Sequence, residues 1–174
     1  AAEIEATGKN PRLKDVLLPK ALHVSADPAC VRGCRMVVIA SPSSHIRTVS
    51  RAVAPYIEAY AVMVSVTKGI EEGSLLRMSQ IVAQETGHKV VALSGPCHAE
   101  EVARQVPTGC LAACDDRGLA EFVQDAFMSE SFRVYTSPDA VGAELGGALK
   151  NVIALCAGVV TGLGYGDNTK AMLM

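Results

Sequence analysis

The chain has 174 residues, room for one domain and part of a second, and its 49% hydrophobic and 20% charged content suits a folded core. A formal net charge of -2 without any basic cluster excludes a nucleic-acid surface built on phosphate contacts. Aromatic residues make up 4% and Trp is absent, so the core must be built from Ala, Val, Leu, Ile and Met.

In chain order, residues 22–25 are a weak strand candidate, and 35–41 are a stronger one that ends at Pro42. Residues 44–56 carry Ile46, Val49, Val53 and Ile57 at helical spacing, and 60–66 read as a second strand. The pattern predicts a helix over 73–86, with Leu75, Met78, Ile81 and Val82 on one side. Strands follow at 89–93, 109–113 and 132–135, with a helix over 119–128 built on Phe122, Val123 and Phe127. Such continuous apolar runs fit parallel strands covered on both faces, and their alternation with helices predicts a doubly wound α/β sheet. No Gly-x-Gly-x-x-Gly follows a strand, and Gly162, Gly164 and Gly166 follow a helix with the wrong period, so the sheet is expected to be partial.

After Val134 the alternation stops. Asp139 or a neighbour can start a long helix, Gly164 and Gly166 break it, and Asp167 or Asn168 can cap another. The expected organisation is therefore a partial α/β domain over 1–140 and the start of an all-helical domain over 141–174. The apolar run 152–163 falls short of the roughly 20 residues a bilayer requires, so a buried helix is expected rather than a membrane span. The start at Ala1, Ala2 and Glu3 without Met, and the helical pattern up to Met174, suggest a segment of a longer protein. Six cysteines, at 30, 34, 97, 110, 114 and 156, are scattered and follow no signal peptide, which favours free thiols. Cys110 and Cys114 lie on an expected strand, too far apart to share one ion, and no metal site is expected.

The chemically suggestive residues stand at strand ends and in the long helix. Lys150 and Asn151 interrupt an apolar helix just after Gly146, Gly147 and Ala148. A buried ammonium needs a partner, so Lys150 either lays its stem on the core and reaches water or acts on a ligand in a tight, partly dry site. Lys68-Gly69 follows a strand, and is either a solvated loop or a ligand contact. Ser94-Gly95-Pro96-Cys97-His98-Ala99 is either a plain turn or an anion site backed by the amides of a helix start. Ser41-Pro42-Ser43 is similar and weaker. Asn151 and Asn168 also suit caps or core hydrogen bonds, and Glu71-Glu72 reads as a solvated helix start.

Taken together, Lys68-Gly69-Ile70-Glu71, Leu93-Ser94-Gly95-Pro96, Ala99-Glu100-Glu101-Val102-Ala103, Phe132-Arg133-Val134-Tyr135 and Glu144-Leu145-Gly146-Gly147-Ala148-Leu149-Lys150-Asn151-Val152-Ile153 resemble the bacterial-type NAD(P)-dependent glycerol-3-phosphate dehydrogenases. Gly162 to Lys170 continues that likeness, which runs in order over nearly the whole chain. The resemblance implies a Rossmann-like fold and interconversion of dihydroxyacetone phosphate and sn-glycerol 3-phosphate with NADH or NADPH. It further implies a role in glycerophospholipid synthesis, a cytoplasmic location and no membrane span, and it allows a homodimer. By motif, Lys150 matches the catalytic lysine. Lys68, Gly95, Cys97, Lys150 and Asn151 match substrate contacts, and Lys68, Ala99, Ser41 and Pro42 match cofactor contacts. Cys97 and His98 depart from the usual Ser or Thr and Phe. The glycine-rich turn and the phosphate-binding Arg-Asn pair of such enzymes are not among these residues, so the segment alone is expected to be inactive. The rival expectations are a ketopantoate or 3-hydroxyacid reductase of the same architecture, which the Gly-Gly-Ala-Leu-Lys-Asn string disfavours, and a non-catalytic Rossmann-like module.

Overall fold

The computed structural model describes residues 4, 7–11, 13 and 16–174; Ala1, Ala2 and Glu3 lie outside the described residues. Five strands, β1 (Met36–Ile39), β2 (Val62–Ser65), β3 (Val90–Ser94), β4 (Thr108–Ala113) and β5 (Phe132–Ser137), form one sheet in that order. Between them lie α1 (Ile46–Val53), α2 (Met78–Thr86), the short α3 (Ala99–Ala103) and α4 (Arg117–Phe127), and beyond them α5 (Ala140–Gly162) and α6 (Asp167–Leu173). Side chains alternate across the sheet. Val62, Val64, Val91 and Leu93 pack with Ala120 and Val123 of α4. Val37, Ile39 and Met63 pack with Ile46 of α1 and Met78, Ile81 and Val82 of α2. Both faces are thus covered, which is why these strands read as unbroken apolar runs.

Several expectations need correction. The sheet is mixed rather than parallel throughout: β1, β2 and β3 are parallel, β4 runs antiparallel to β3, and β5 is parallel to β4. A parallel return is usually made through a full crossover helix; residues 95–107 carry only the five-residue α3, and β4 enters the sheet reversed. Residues 22–25 form no strand; only Val24 among them is even half-buried, so no apolar side anchors them.

The helix expected over 73–86 begins only at Met78. The preceding loop folds on itself instead: Glu71 N donates to Leu76 O (2.9 Å), Leu75 N donates to Glu71 O (3.0 Å), and Ile70 bridges Arg77. Leu75, assigned to the buried face, lies in this loop at φ 57° and is 75% exposed. Gly166, not Asp167 or Asn168, caps α6.

Helix α5 departs most from expectation. Asp139 caps it as anticipated, accepting from Gly142 N at 2.8 Å. The helix is not buried, because Glu144 alone of its residues is fully enclosed. With 23 residues it is also long and apolar enough to cross a bilayer by length and composition, unlike the shorter run judged from sequence. Its first turns are nonetheless fastened to the α/β layer by the contacts described below.

Glu71 is no solvated helix start. Arg47 on α1 donates to both its carboxylate oxygens (2.8 and 2.6 Å), and Ser74 Oγ adds a bond of 2.5 Å. The same guanidinium reaches Glu85 on α2, which Arg51 also binds. The Arg47 bonds, helped by Ser74, hold the Glu71 carboxyl at about 2 against its ordinary 4.5. A carboxylate depressed in this way stabilises the fold fully above about 4.5 and loses that contribution as pH falls through about 2. The expected result is a melting temperature that drops on acidification across this window, with a shallower drop in Glu71→Gln. Superimposable pH profiles of the two proteins would refute it.

Candidate active site

Because β1, β2 and β3 are parallel and in register at Ile39, Ser65 and Ala92, the loops that follow them emerge along one edge of the sheet. That edge is where α/β sheets bind ligands. One hydrogen bond and three close approaches at glycine then fix the loops. Thr67 Oγ1 donates to the Ser41 carbonyl at 2.8 Å, and Gly69, at φ 147°, leaves room where a Cβ would stand 2.9 Å from Ser43 Cβ. The turn after β3 lies flat on β4, since a Cβ on Gly95 would meet Cys110 Cα and Gly109 O at 2.8 Å. Helix α5 rests on both ends, because a Cβ on Gly147 would be 2.8 Å from Ser94 Oγ and 3.5 Å from Lys68 Cγ.

These contacts enclose a cleft of about 480 Å³ whose walls include Lys68, Gly95, Cys97, His98, Gly146 and Lys150. Four of the eight residues matched by motif, Lys68, Gly95, Cys97 and Lys150, therefore meet in one place. The others do not line it. Asn151 is the exposed neighbour of Lys150, Ala99 is the exposed first residue of α3, and Ser41 and Pro42 stand at the adjoining β1 loop. Lys150 is exposed rather than held in a dry pocket, because α5 covers the sheet edge only with its first turns. The anion-attracting helix start expected after Pro96 is also missing: α3 has five residues and carries Glu100 and Glu101 in its first turn.

Among the described residues, Lys68 and Lys150 make no ion pair or hydrogen bond. Ser41 Oγ is buried without a partner. Two uncommitted ammonium groups and an orphaned hydroxyl along one strand edge fit a phosphate-bearing nucleotide and a small anionic substrate. Beneath the cleft, burial pushes the Cys110 thiol up to about 12, with Cys97 adding to the effect and Lys68 opposing it. Cys110 thus stays a packed thiol.

Glu144 was missed as a site-forming residue. It is 6% exposed and its carboxylate accepts from Ser79 N (2.8 Å), Ser79 Oγ (2.6 Å) and the Arg77 guanidinium. The signal was present, since a carboxylate in an apolar helix is as anomalous as the lysine six residues later.

The fold and cleft define a Rossmann-like α/β protein with a lysine-bearing ligand site where its sheet meets a long helix. Family models described as the N-terminus and the C-terminus of NAD-dependent glycerol-3-phosphate dehydrogenase match residues 1–120 and 139–174. The chain belongs to the NAD-dependent glycerol-3-phosphate dehydrogenase family. It is 52% identical to a glycerol-3-phosphate dehydrogenase (NAD(P)+) of Pelotomaculum thermopropionicum, over 100% of this chain and 52% of that protein. A crystal structure of glycerol-3-phosphate dehydrogenase from Coxiella burnetii superposes with a TM-score of 0.85 at 32% identity, over 99% of this chain and 54% of that one. A ketopantoate reductase from Ralstonia eutropha shares the fold at a TM-score of 0.63 and 19% identity, over 90% of this chain and 50% of that one. The chain spans about half the length of the curated relatives it matches.

Gly95→Ala should cost about 1–3 kcal/mol of stability, because the new methyl meets strand backbone that cannot swing away. Urea denaturation measures it; an unchanged midpoint would mean that the turn is free to lift off β4.

Proposed function

We propose that the chain forms the cleft-bearing part of an enzyme that interconverts dihydroxyacetone phosphate and sn-glycerol 3-phosphate with NADH or NADPH, in the cytoplasm, for glycerophospholipid synthesis. The observation that carries this reading is the convergence of Lys68, Gly95, Cys97 and Lys150 on one cleft at the carboxyl edge of a Rossmann-like sheet. In this reading residues 1–140 serve the nucleotide and residues 141–174 begin the helical substrate domain. Ser41, Pro42, Ala99 and Lys68 contact the nucleotide, while Lys68, Gly95, Cys97, Lys150 and Asn151 contact the substrate. A bound NAD(P)H supplies the hydride.

The chain's own task is to manage the charge that follows. As a ketone is reduced, negative charge grows on its oxygen, and the Lys150 ammonium, having no other partner, stabilises that charge and then gives up a proton to it. In the reverse direction the neutral amine takes the proton from the alcohol. Lys68, fixed by the loop that follows β2, supplies a second cation to the phosphate-bearing ligands.

Lys150→Ala in the full-length protein is expected to abolish dihydroxyacetone phosphate-dependent NAD(P)H oxidation while leaving nucleotide affinity within about twofold. A kcat close to that of the unmodified protein would reject Lys150 as the acid. Preferential turnover of ketopantoate would reject the substrate.

A further inference from the structure

Neither Arg77 nor Glu144 lines the cleft, yet each is joined to one of its two lysines. Arg77 closes the loop that begins at Lys68: Ile70, two residues after the lysine, bridges Arg77, and Glu71 N binds Leu76 O at 2.9 Å. Glu144 belongs to the helix that carries Lys150. Their ion pair, with side chains 18% and 6% exposed, is a direct polar side-chain link between that loop and that helix. Ser79 anchors the same carboxylate to the start of α2 through its N–H and its hydroxyl.

We propose that the Arg77–Glu144 ion pair is a positioning device for the reaction, setting the separation of Lys68 and Lys150 across the cleft. The proposal rests on the reading of Lys150 as the acid. Its physical basis is leverage. Six residues of helix separate Glu144 from Lys150, about 9 Å of rise, so a tilt of about 6° at Glu144 moves the lysine by about 1 Å. Displacements of that size can cost roughly 100-fold in rate. Beyond Gly147, which touches Ser94 and Lys68, the helix is largely exposed, so little else corrects such a tilt.

Arg77 and Ser79 also line a second opening, of about 330 Å³, together with Asp115, Asp139 and Val141, and neither lysine lines it. Water can enter there when either partner is removed. Loss of the pair therefore loosens the junction without placing a new group in the ligand cleft.

The test is a double-mutant cycle in the full-length protein with Arg77→Met, Glu144→Gln and the double variant. Met keeps the apolar stem of Arg77, and Gln keeps the shape of Glu144 and one acceptor oxygen for Ser79 N, so both singles retain most packing; thermal melting confirms folding before rates are compared. The expected result is a kcat reduced roughly 10- to 100-fold in each single. The double should be no worse than the poorer single, with NADH dissociation constants within about twofold of the unmodified protein. Folded singles with kcat within about twofold of the unmodified protein would overturn the proposal. So would losses that multiply in the double, or a parallel loss of NADH affinity. Lys150→Ala, measured alongside, separates the two levels. If it retains turnover, the assignment of the acid has failed; if it is dead while the Arg77 and Glu144 variants are fully active, only the positioning role has.

Discussion

One buried carboxylate organises the junction on which the cleft depends. Enclosing an ionised Glu inside a protein is costly unless its oxygens are fully occupied, and Glu144 meets that demand with three donors from a single short stretch, Arg77 to Ser79. The arrangement works in both directions. The first amides of α2 have no acceptor within their own helix, and Glu144 supplies one from another element, with its negative charge at the positive end of the helix. Gln80 Oε1 accepts from Arg77 N at 3.0 Å and completes the start. The same contact therefore begins one helix and fixes the placement of another.

From that point the cleft is assembled by omission of side chains. Gly147 lets α5 descend onto Ser94 and Lys68, Gly95 lets the turn after β3 lie on β4, and Gly69 lets the β1 and β2 loops touch. Each of these positions trades conformational entropy for an approach no larger residue allows. Charge is sorted to match. Glu71 and Glu85 are engaged by Arg47 and Arg51, and Glu144 by Arg77, all outside the cleft. The two lysines at the cleft are left uncommitted, so a chain with a net charge of -2 presents a locally cationic site.

This division explains what could be read from the sequence. The strands and the helices at α1 and α4 follow from short-range periodicity, and the residues that meet in the cleft follow from glycine and lysine at strand ends. Three features depend on long-range partners and carry no local signature. The reversal of β4 lies in its pairing with β3 and not in its composition, because its apolar run reads the same in either direction. The late start of α2 follows from a loop that satisfies its own amides and from a cap 65 residues away in sequence. The exposure of Lys150 follows from how far α5 extends past the sheet, which apolar content alone led us to misjudge. Glu144 is legible on the same physical ground as Lys150, since a carboxylate in an apolar helix needs partners as much as an ammonium does.

The cleft consequently has a fixed side and an adjustable one. Lys68 rises from a loop pinned by Thr67 to Ser41, by Gly69 against Ser43 and by Ile70 to Arg77, so its backbone is held from several directions. Lys150 stands one turn beyond the last contact of α5 with the sheet, on a helix whose outward residues Leu149, Val152 and Ile153 are exposed. Transition-state stabilisation by a cation depends on its placement relative to the developing charge, and preorganisation is what separates an effective ammonium from a solvated one. The adjustable side is then set from its base, where Glu144 binds the start of α2 and Gly147 lies against Ser94 and Lys68. A lysine that is exposed in its surroundings is in this way still constrained in its origin, which is what the proposed role as an acid requires of it.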